Sequence, residues 1–145
     1  MRHRVSAGLA LGLVTLALAL PTVSGAQDAG AKPVPVMLDL YSGDKNSQGF
    51  SEALAAAVSG DARFEVVKAL PPEGLKIIMT DALVPQHNDD QAIAGYDVVL
   101  KLGNGKYIDE KQGFCDLAKL AMCGRVVAQD SFDAYQAYMV RRKAG

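Results

Sequence analysis

The sequence predicts an α+β domain: a mixed β-sheet of about five strands, with one helix after the first strand and a C-terminal helix packed on the sheet. Three observations predict it. Apolar side chains alternate with period two in several short segments, a helix-period segment follows the first of these, and a second helical stripe closes the chain. No repeat occurs at a fixed period, so one α/β domain is expected over residues 34–145.

The amino-terminal residues 1–26 have the three regions of a secretory signal peptide. Arg2 and Arg4 form the cationic start, an apolar run extends from Ala7 to Leu20, and Ser24-Gly25-Ala26 supplies small residues before Gln27. The apolar run is shorter than the roughly 20 residues that a membrane-spanning helix needs. We therefore expect cleavage after Ala26, a periplasmic or secreted product, and no stable membrane insertion after cleavage.

The charge of the mature chain argues against a nucleic-acid partner. Cleavage removes two of the 15 basic residues and none of the 16 acidic ones, which leaves a net charge of about −3. Nucleic-acid binding requires a basic face, whereas the cationic cluster Arg141-Arg142-Lys143 lies where it complements the dipole of a final helix. Residues 27–33 are small and polar, and we expect them to form a flexible lead-in.

The first structured unit is predicted to be a strand, a helix and a second strand. The first strand follows from three alternating apolar residues, Val36, Leu38 and Leu40. Ser47 is the expected N-cap of the helix, and Gly60 occupies the place where a left-handed helix ending favours glycine. The helix presents Phe50, Leu54, Ala57 and Val58 on one face, and Phe64 and Val66 share a face of the second strand.

The middle of the chain contains a third strand, a predicted loop and a hairpin. Leu75 to Thr80 is largely apolar and is expected to lie centrally in the sheet, whereas residues 81–94 lack periodicity and are predicted to form an exposed loop. Loops of this kind often carry function. The strand from Tyr96 to Leu102 then reverses through Gly103-Asn104-Gly105 into Lys106-Tyr107-Ile108, which predicts a β-hairpin.

These periods predict both the core and the final helix. Asp130 or Ser131 is expected to cap the final helix, whose apolar stripe contains Phe132, Tyr135 and Met139. The positions expected in the core are Val36, Leu38, Leu54, Val58, Phe64, Val66, Ile77, Val98, Leu100 and Phe132.

The two cysteines, Cys115 and Cys123, are predicted to form a disulfide, because the chain is exported and the count is even. Eight residues of continuous helix would separate their Cα atoms by about 12 Å, whereas a disulfide tolerates about 7 Å. Cys115 is therefore expected on or just after the last strand, with Cys123 near a helix start or on a returning segment broken by Gly124. Two buried free thiols are the alternative.

Residues suited to catalysis are few. His87 is the only histidine after the leader, so a hydrolase would need it as base, with Asp89 or Asp90 orienting it and Ser42 or Ser131 as nucleophile. No GxSxG motif flanks either serine. The carboxylate pairs Asp109-Glu110 and Asp89-Asp90 leave glycoside cleavage open, but adjacent residues of a strand point to opposite faces. No catalytic residue is predicted.

The metal and cofactor hypotheses rest on one cluster. His87, Asp89 and Asp90 lie within four residues and could ligate zinc or another divalent cation. Exposed loop side chains are the ordinary interpretation of such a run. The sequence has no CxxC, no haem attachment motif and no glycine-rich phosphate loop opening a helix, so no cofactor is expected.

The order of elements resembles the small periplasmic α/β domains of TolB amino-terminal regions and of lipoproteins that activate penicillin-binding proteins. The resemblance covers residues 34–67, including Phe50-Ser51-Glu52-Ala53-Leu54 and Arg63-Phe64-Glu65-Val66-Val67. The chain lacks the lipid-anchor cysteine of such lipoproteins and adds its own cysteine pair. The resemblance implies a protein that docks on envelope proteins and catalyses nothing.

Three functional classes follow from these observations. The first is a non-catalytic exported interaction or adaptor domain whose partner is an envelope or periplasmic protein. The second is a periplasmic protein that binds a small ligand or a metal through the 81–94 loop. The third is a hydrolase, which the single histidine disfavours.

Overall fold

The computed structural model describes residues 31–88 and 91–145, and it confirms the predicted α+β class. The chain forms helix α1 (Lys45–Ser59) after the first strand, and helix α2 (Leu120–Ala144) at its end, preceded by a short 3-10 helix (Leu117–Lys119). The strands are β1 (Val34–Leu40), β2 (Phe64–Val66), β3 (Leu75–Met79), β4 (Val84–Asn88), β5 (Gln91–Leu102) and β6 (Tyr107–Asp116).

The described strands form one mixed six-stranded sheet. β1 pairs in parallel with β2 on one side and with β3 on the other, so the third strand is central, as predicted. β3 and β4 both pair antiparallel with β5, at opposite ends of that long strand, and β6 pairs with its other edge. Five strand positions therefore span the sheet, since β3 and β4 lie on the same side of β5.

The predicted hairpin is present and longer than expected. β5 and β6 pair in register from Ile93 opposite Asp116 to Lys101 opposite Tyr107, with a register shift near Leu100. Gly105 has a φ of 85° in the turn, a left-handed conformation that glycine adopts without a steric penalty. The turn residues therefore have the roles that the sequence assigned to them.

The prediction of a loop over residues 81–94 is wrong for residues 84–88 and 91–94. The backbone forms β4 and the first part of β5, paired from Val84 opposite Gly95 to Asn88 opposite Gln91. The sequence pattern does not predict β4 as a strand, because an edge strand can carry polar side chains and then shows no apolar alternation. Asp89 and Asp90 lie outside the described residues.

The ends of α1 differ from the prediction at both termini. Asp44, not Ser47, is the N-cap, and its carboxylate accepts hydrogen bonds from the backbone N–H groups of Asn46 and Ser47, each 3.0 Å long. Gly60 ends the helix with a φ of −85°, so the predicted left-handed ending is wrong. Any residue type can adopt that conformation.

The final helix begins about ten residues earlier than predicted. α2 is continuous from Leu120, so Asp130 and Ser131 lie in its interior and neither caps it. The hydroxyl of the buried Ser131 donates to the carbonyl oxygen of Val127, 2.7 Å away. Gly124 does not break the chain: it is a buried residue of the same helix.

The disulfide prediction is confirmed. Cys115 on β6 and Cys123 near the start of α2 are bonded, with a Cα–Cα distance of 5.9 Å. Both residues are buried, with exposed fractions of 1% and 9%. The bond joins the edge strand of the sheet to the helix that covers it.

Most of the predicted core positions are buried. Val66 is the exception, with half of its side chain exposed, because it ends the short edge strand β2. Leu38 and Phe132 are partly buried against the core, and the ring of Phe132 contacts that of Phe64 edge to face at 5.6 Å between centroids. The buried predictions are Val36, Leu54, Val58, Phe64, Ile77, Val98 and Leu100.

Candidate functional site: the uncovered face of the sheet

Both helices pack on the same face of the sheet. Phe50 and Leu54 of α1 and Val127 of α2 belong to one buried cluster with Val36 of β1 and Leu100 of β5. Successive side chains of a strand point to opposite faces, so the residues between these buried positions lie on the second face. Within residues 31–88 and 91–145, no helix or strand covers that face.

Apolar side chains form a row across the uncovered face. Val84 on β4, Gly95 on β5 and Phe114 on β6 are direct cross-strand neighbours. The side chains of Val84 and Phe114 are 61% and 72% exposed. Gly95 has no side chain between them, and a Cβ there would make an ordinary van der Waals contact of 3.7 Å with the ring of Phe114.

Polar and charged groups border this apolar row. The side-chain amide of Gln112 on β6 donates to Asp97 on β5 at 3.0 Å and to Glu110 at 2.5 Å. At the far end of the same face, on β3 and β1, the ammonium group of Lys76 lies 2.8 Å from the carboxylate of Asp39. Apolar side chains flanked by polar groups are found at protein-binding surfaces.

The predicted metal ligands are only partly described. The backbone of His87 lies in β4, opposite Ala92 of β5. Asp89 and Asp90 are outside the described residues, so the metal hypothesis stays a prediction. Among the described residues, no group of three or more His, Cys, Asp or Glu side chains could hold a metal ion.

The two candidate nucleophiles occupy separate elements. Ser42 is exposed in the loop after β1, whereas Ser131 is buried in α2 and bonded to Val127. The carboxylates of Asp109 and Glu110 diverge across β6: Asp109 pairs with Lys111 at 2.8 Å on the helix side, and Glu110 bonds to Gln112 on the uncovered face. Opposed carboxylates cannot flank one scissile bond.

The shifted pKa values of the described groups have structural causes. Hydrogen bonds from Lys111 and Arg63 lower the pKa of Asp109 and Asp61, respectively. Burial raises the pKa of Tyr96, which stacks on Phe50, and that of Tyr135, whose hydroxyl donates to the Glu73 carbonyl oxygen at 2.9 Å. The contacts of Tyr96 and Tyr135 join separate elements of the fold, whereas the two ion pairs are local to one strand and one loop.

The sequence alone does not predict the uncovered face. The alternation of Tyr96 to Leu102 indicates one buried face of β5, but it does not reveal that the other face lacks a covering layer. The sequence feature that indicates this face is Phe114, a large apolar residue within the mostly polar stretch from Asp109 to Asp116. An exposed aromatic residue of this kind is typical of binding surfaces.

Comparisons with known proteins give little further information. No protein-family model matches the sequence, and no curated protein matches it. The fold is similar to a crystal structure of a minor lipoprotein from Acinetobacter baumannii, with 10% identity and a TM-score of 0.44, over 74% of this chain and 94% of that one. The resemblance to TolB domains and penicillin-binding-protein activators stays a prediction. No helix in the described residues has the length and apolar character needed to cross a membrane.

Proposed function

We propose that the chain is a non-catalytic interaction or adaptor domain, exported to the cell envelope, whose uncovered sheet face binds another envelope or periplasmic protein. The observation that carries the proposal is the exposed row of Val84, Gly95 and Phe114 on a face that no described element covers. Exposed apolar side chains that lie together beside polar groups are typical of interaction sites.

The size of the face predicts the strength of binding. At about 3.4 Å per residue, β5 from Ile93 to Lys101 is about 27 Å long, and three adjacent strands with their side chains are about 15 Å wide. The whole of this three-strand face, with apolar and polar side chains together, has an area on the order of 400 Å². It is below the roughly 800 Å² per partner of stable complexes, so we expect weak, reversible association.

Phe114→Ser tests the proposal directly. Because Phe114 is 72% exposed, its replacement should change stability by no more than about 0.5 kcal/mol. We expect the variant to lose at least about tenfold in affinity for partners captured from envelope extract, the equivalent of 1.4 kcal/mol.

The matched control is Val140→Ser. Val140 lies on α2 and is 66% exposed, so the variant removes an exposed apolar side chain without touching the sheet face. Capture should match the wild type. Equal capture by Phe114→Ser and Val140→Ser would overturn the assignment of the binding surface.

Export to the envelope rests on residues 1–26, whose three regions are those of a cleaved leader. We expect protein recovered from the envelope to have the intact mass of a chain that begins at Gln27. A mature product that retains Met1 to Ala26 would contradict cleavage and would place the domain on a membrane anchor.

A further inference from the structure

The first strand loses its neighbour on one side halfway along its length. β2 pairs with β1 only from Val34 to Val36, and the N–H of Val67 then donates to the carbonyl oxygen of Val36 at 2.9 Å. On its other side, β1 pairs with β3 as far as Leu40. Among the described strands, none pairs with the second half of β1 on this side, which we call its open edge.

The backbone groups of Leu38 and Leu40 point to this open edge. Val34 donates its N–H towards β2, to the carbonyl oxygen of Arg63, whereas Tyr41 donates towards β3, to that of Met79, both at 2.8 Å. Peptide groups alternate in direction along a strand, so the even-numbered residues of β1 face the β2 side. Beyond Val67, no described strand pairs with them there. Unpaired groups of this kind are a template for another strand.

A groove lies beside the open edge, on the flank of α1 that faces away from α2. Gly49 and Ala53 lie on the α2 flank, where a Cβ at Gly49 would be 2.9 Å from Leu120 and one at Gly124 would be 2.5 Å from the Ala53 carbonyl oxygen. The groove has a volume of about 510 Å³ and is lined by Leu40, Ser42, Gln48, Ser51, Glu52 and Ala55.

The side chains of β1 become more exposed beyond the point where β2 ends. Val34 and Val36, beside β2, have exposed fractions of 6% and 0%. Leu38 and Leu40 point to the same side of the sheet but are only partly buried. Leu38 and Leu40 are thus partly accessible where the backbone edge is unpaired, and Leu40 also lines the groove.

We propose that this groove binds an extended peptide segment of a partner protein, which adds to the open edge of β1 as a strand. Main-chain hydrogen bonds to Leu38 and Leu40 would hold it, as in other cases of strand addition. The edge from Met37 to Leu40 accommodates about four residues at roughly 3.3 Å each. The site is separate from the uncovered sheet face, and the two can be tested independently.

Glu52 determines the charge of the preferred peptide. Among the described residues that line the groove, it alone is charged. The side-chain amide of Gln48 donates to its Oε1 at 2.8 Å, which leaves Oε2 to accept from a ligand. Alternate side chains of an added strand face α1 and its carboxylate. The peptide therefore carries lysine or arginine at one of these positions and an apolar side chain near Leu40.

The test uses a phage-displayed library of random heptapeptides, selected on the mature domain and counter-selected on Ala55→Phe, in which the aromatic ring fills the groove. Selected peptides should contain Lys or Arg beside apolar residues and should bind with micromolar affinity. They should slow hydrogen exchange at the amides of Leu38 and Leu40. Glu52→Lys should weaken binding at least about tenfold, while Glu65→Lys, an exposed glutamate on β2, should have no effect.

Three results would overturn the proposal. The first is that no peptide is enriched on the wild type relative to Ala55→Phe, with both proteins folded by circular dichroism. The second is equal binding by a version of the selected peptide that is N-methylated along its backbone, because strand addition requires free N–H groups. The third is protection from exchange at other strands, with Leu38 and Leu40 unaffected.

Discussion

Gly124 in α2 lies directly against the backbone of Ala53 in α1. A Cβ at position 124 would lie 2.5 Å from the Ala53 carbonyl oxygen and 2.8 Å from the backbone nitrogen of Leu54. Backbone atoms cannot rotate away as a flexible side chain can. The two helices therefore pack at a distance that only glycine permits, and this contact sets their position on the covered face of the sheet.

Gly124→Ala is expected to destabilise the domain. Alanine gains up to about 1 kcal/mol of helix propensity over glycine, but overpacking typically costs about 1–3 kcal/mol, and here the clash is with backbone. We expect a net loss of about 1–2 kcal/mol, measured by urea denaturation. Gly145→Ala, at a site where a Cβ would meet no atom of the described residues within 4 Å, is the control. A Gly124→Ala protein as stable as the wild type would show that the helices can separate freely.

Ser47→Ala is predicted to be destabilising through an unpaired backbone group. The hydroxyl of Ser47 accepts the N–H of the buried Leu83 at 2.9 Å and donates to Asp44. Leaving a buried donor without a partner costs about 1–3 kcal/mol. Each kcal/mol lost should lower Tm by roughly 4–8 °C. Ser59→Ala, on an exposed residue of the same helix, should leave Tm unchanged. Equal Tm values for both variants would contradict this role.

Local patterns predicted the elements whose apolar period is unambiguous. Leu75 to Met79 and the hairpin around Gly103-Asn104-Gly105 are where the sequence placed them, because burial on one face imposes strict alternation. Val66 shows the limit of the same rule. Its position in the period is the one expected of a core residue, but exposure depends on which strand lies at the sheet edge, and strand order is a long-range property.

The candidate surfaces depend on long-range packing and could not be read from local patterns. Gly124 contacts Ala53, which is 71 positions away in the chain. A contact between such distant residues produces no periodic pattern in the sequence. The open edge of β1 arises because β2 is short. The uncovered face arises because both helices pack on the same side of the sheet. The polar residues of β4 likewise resemble a loop until β5 is placed beside them.

Asp44 is expected to make stability depend on pH. Hydrogen bonds from the hydroxyl and N–H of Ser47 and the N–H of Asn46 lower the pKa of its carboxyl from 3.8. A lowered pKa stabilises the fold above the unfolded-state pKa, and this contribution is lost as pH falls through the folded-state pKa. Asp44→Asn keeps an oxygen acceptor but no charge. Its Tm should be below that of the wild type at pH 6.

The difference between wild type and Asp44→Asn should shrink as the pH is lowered from 5 to 3, measured by thermal unfolding. Other carboxyls with lowered pKa, such as Asp61 and Asp109, are present in both proteins and largely cancel in the comparison. A difference that stays constant over this range would mean that the charge of Asp44 does not contribute.

Removal of the Cys115–Cys123 disulfide should lower stability without abolishing binding at the uncovered face. The bond closes a loop of about nine residues, for which the chain-entropy model gives about 2.5 kcal/mol. We expect the Tm of the Cys115→Ala/Cys123→Ala variant to be lower than that of the wild type by roughly 4–8 °C for each kcal/mol lost. Wild-type protein reduced with dithiothreitol should show a similar decrease in Tm. Two alkylatable thiols in freshly exported wild type would contradict the bond.

Because the pair is buried beneath β6 while Phe114 points to the other face, the folded variant should still capture the partner. Loss of capture below its Tm would make the disulfide part of the binding site.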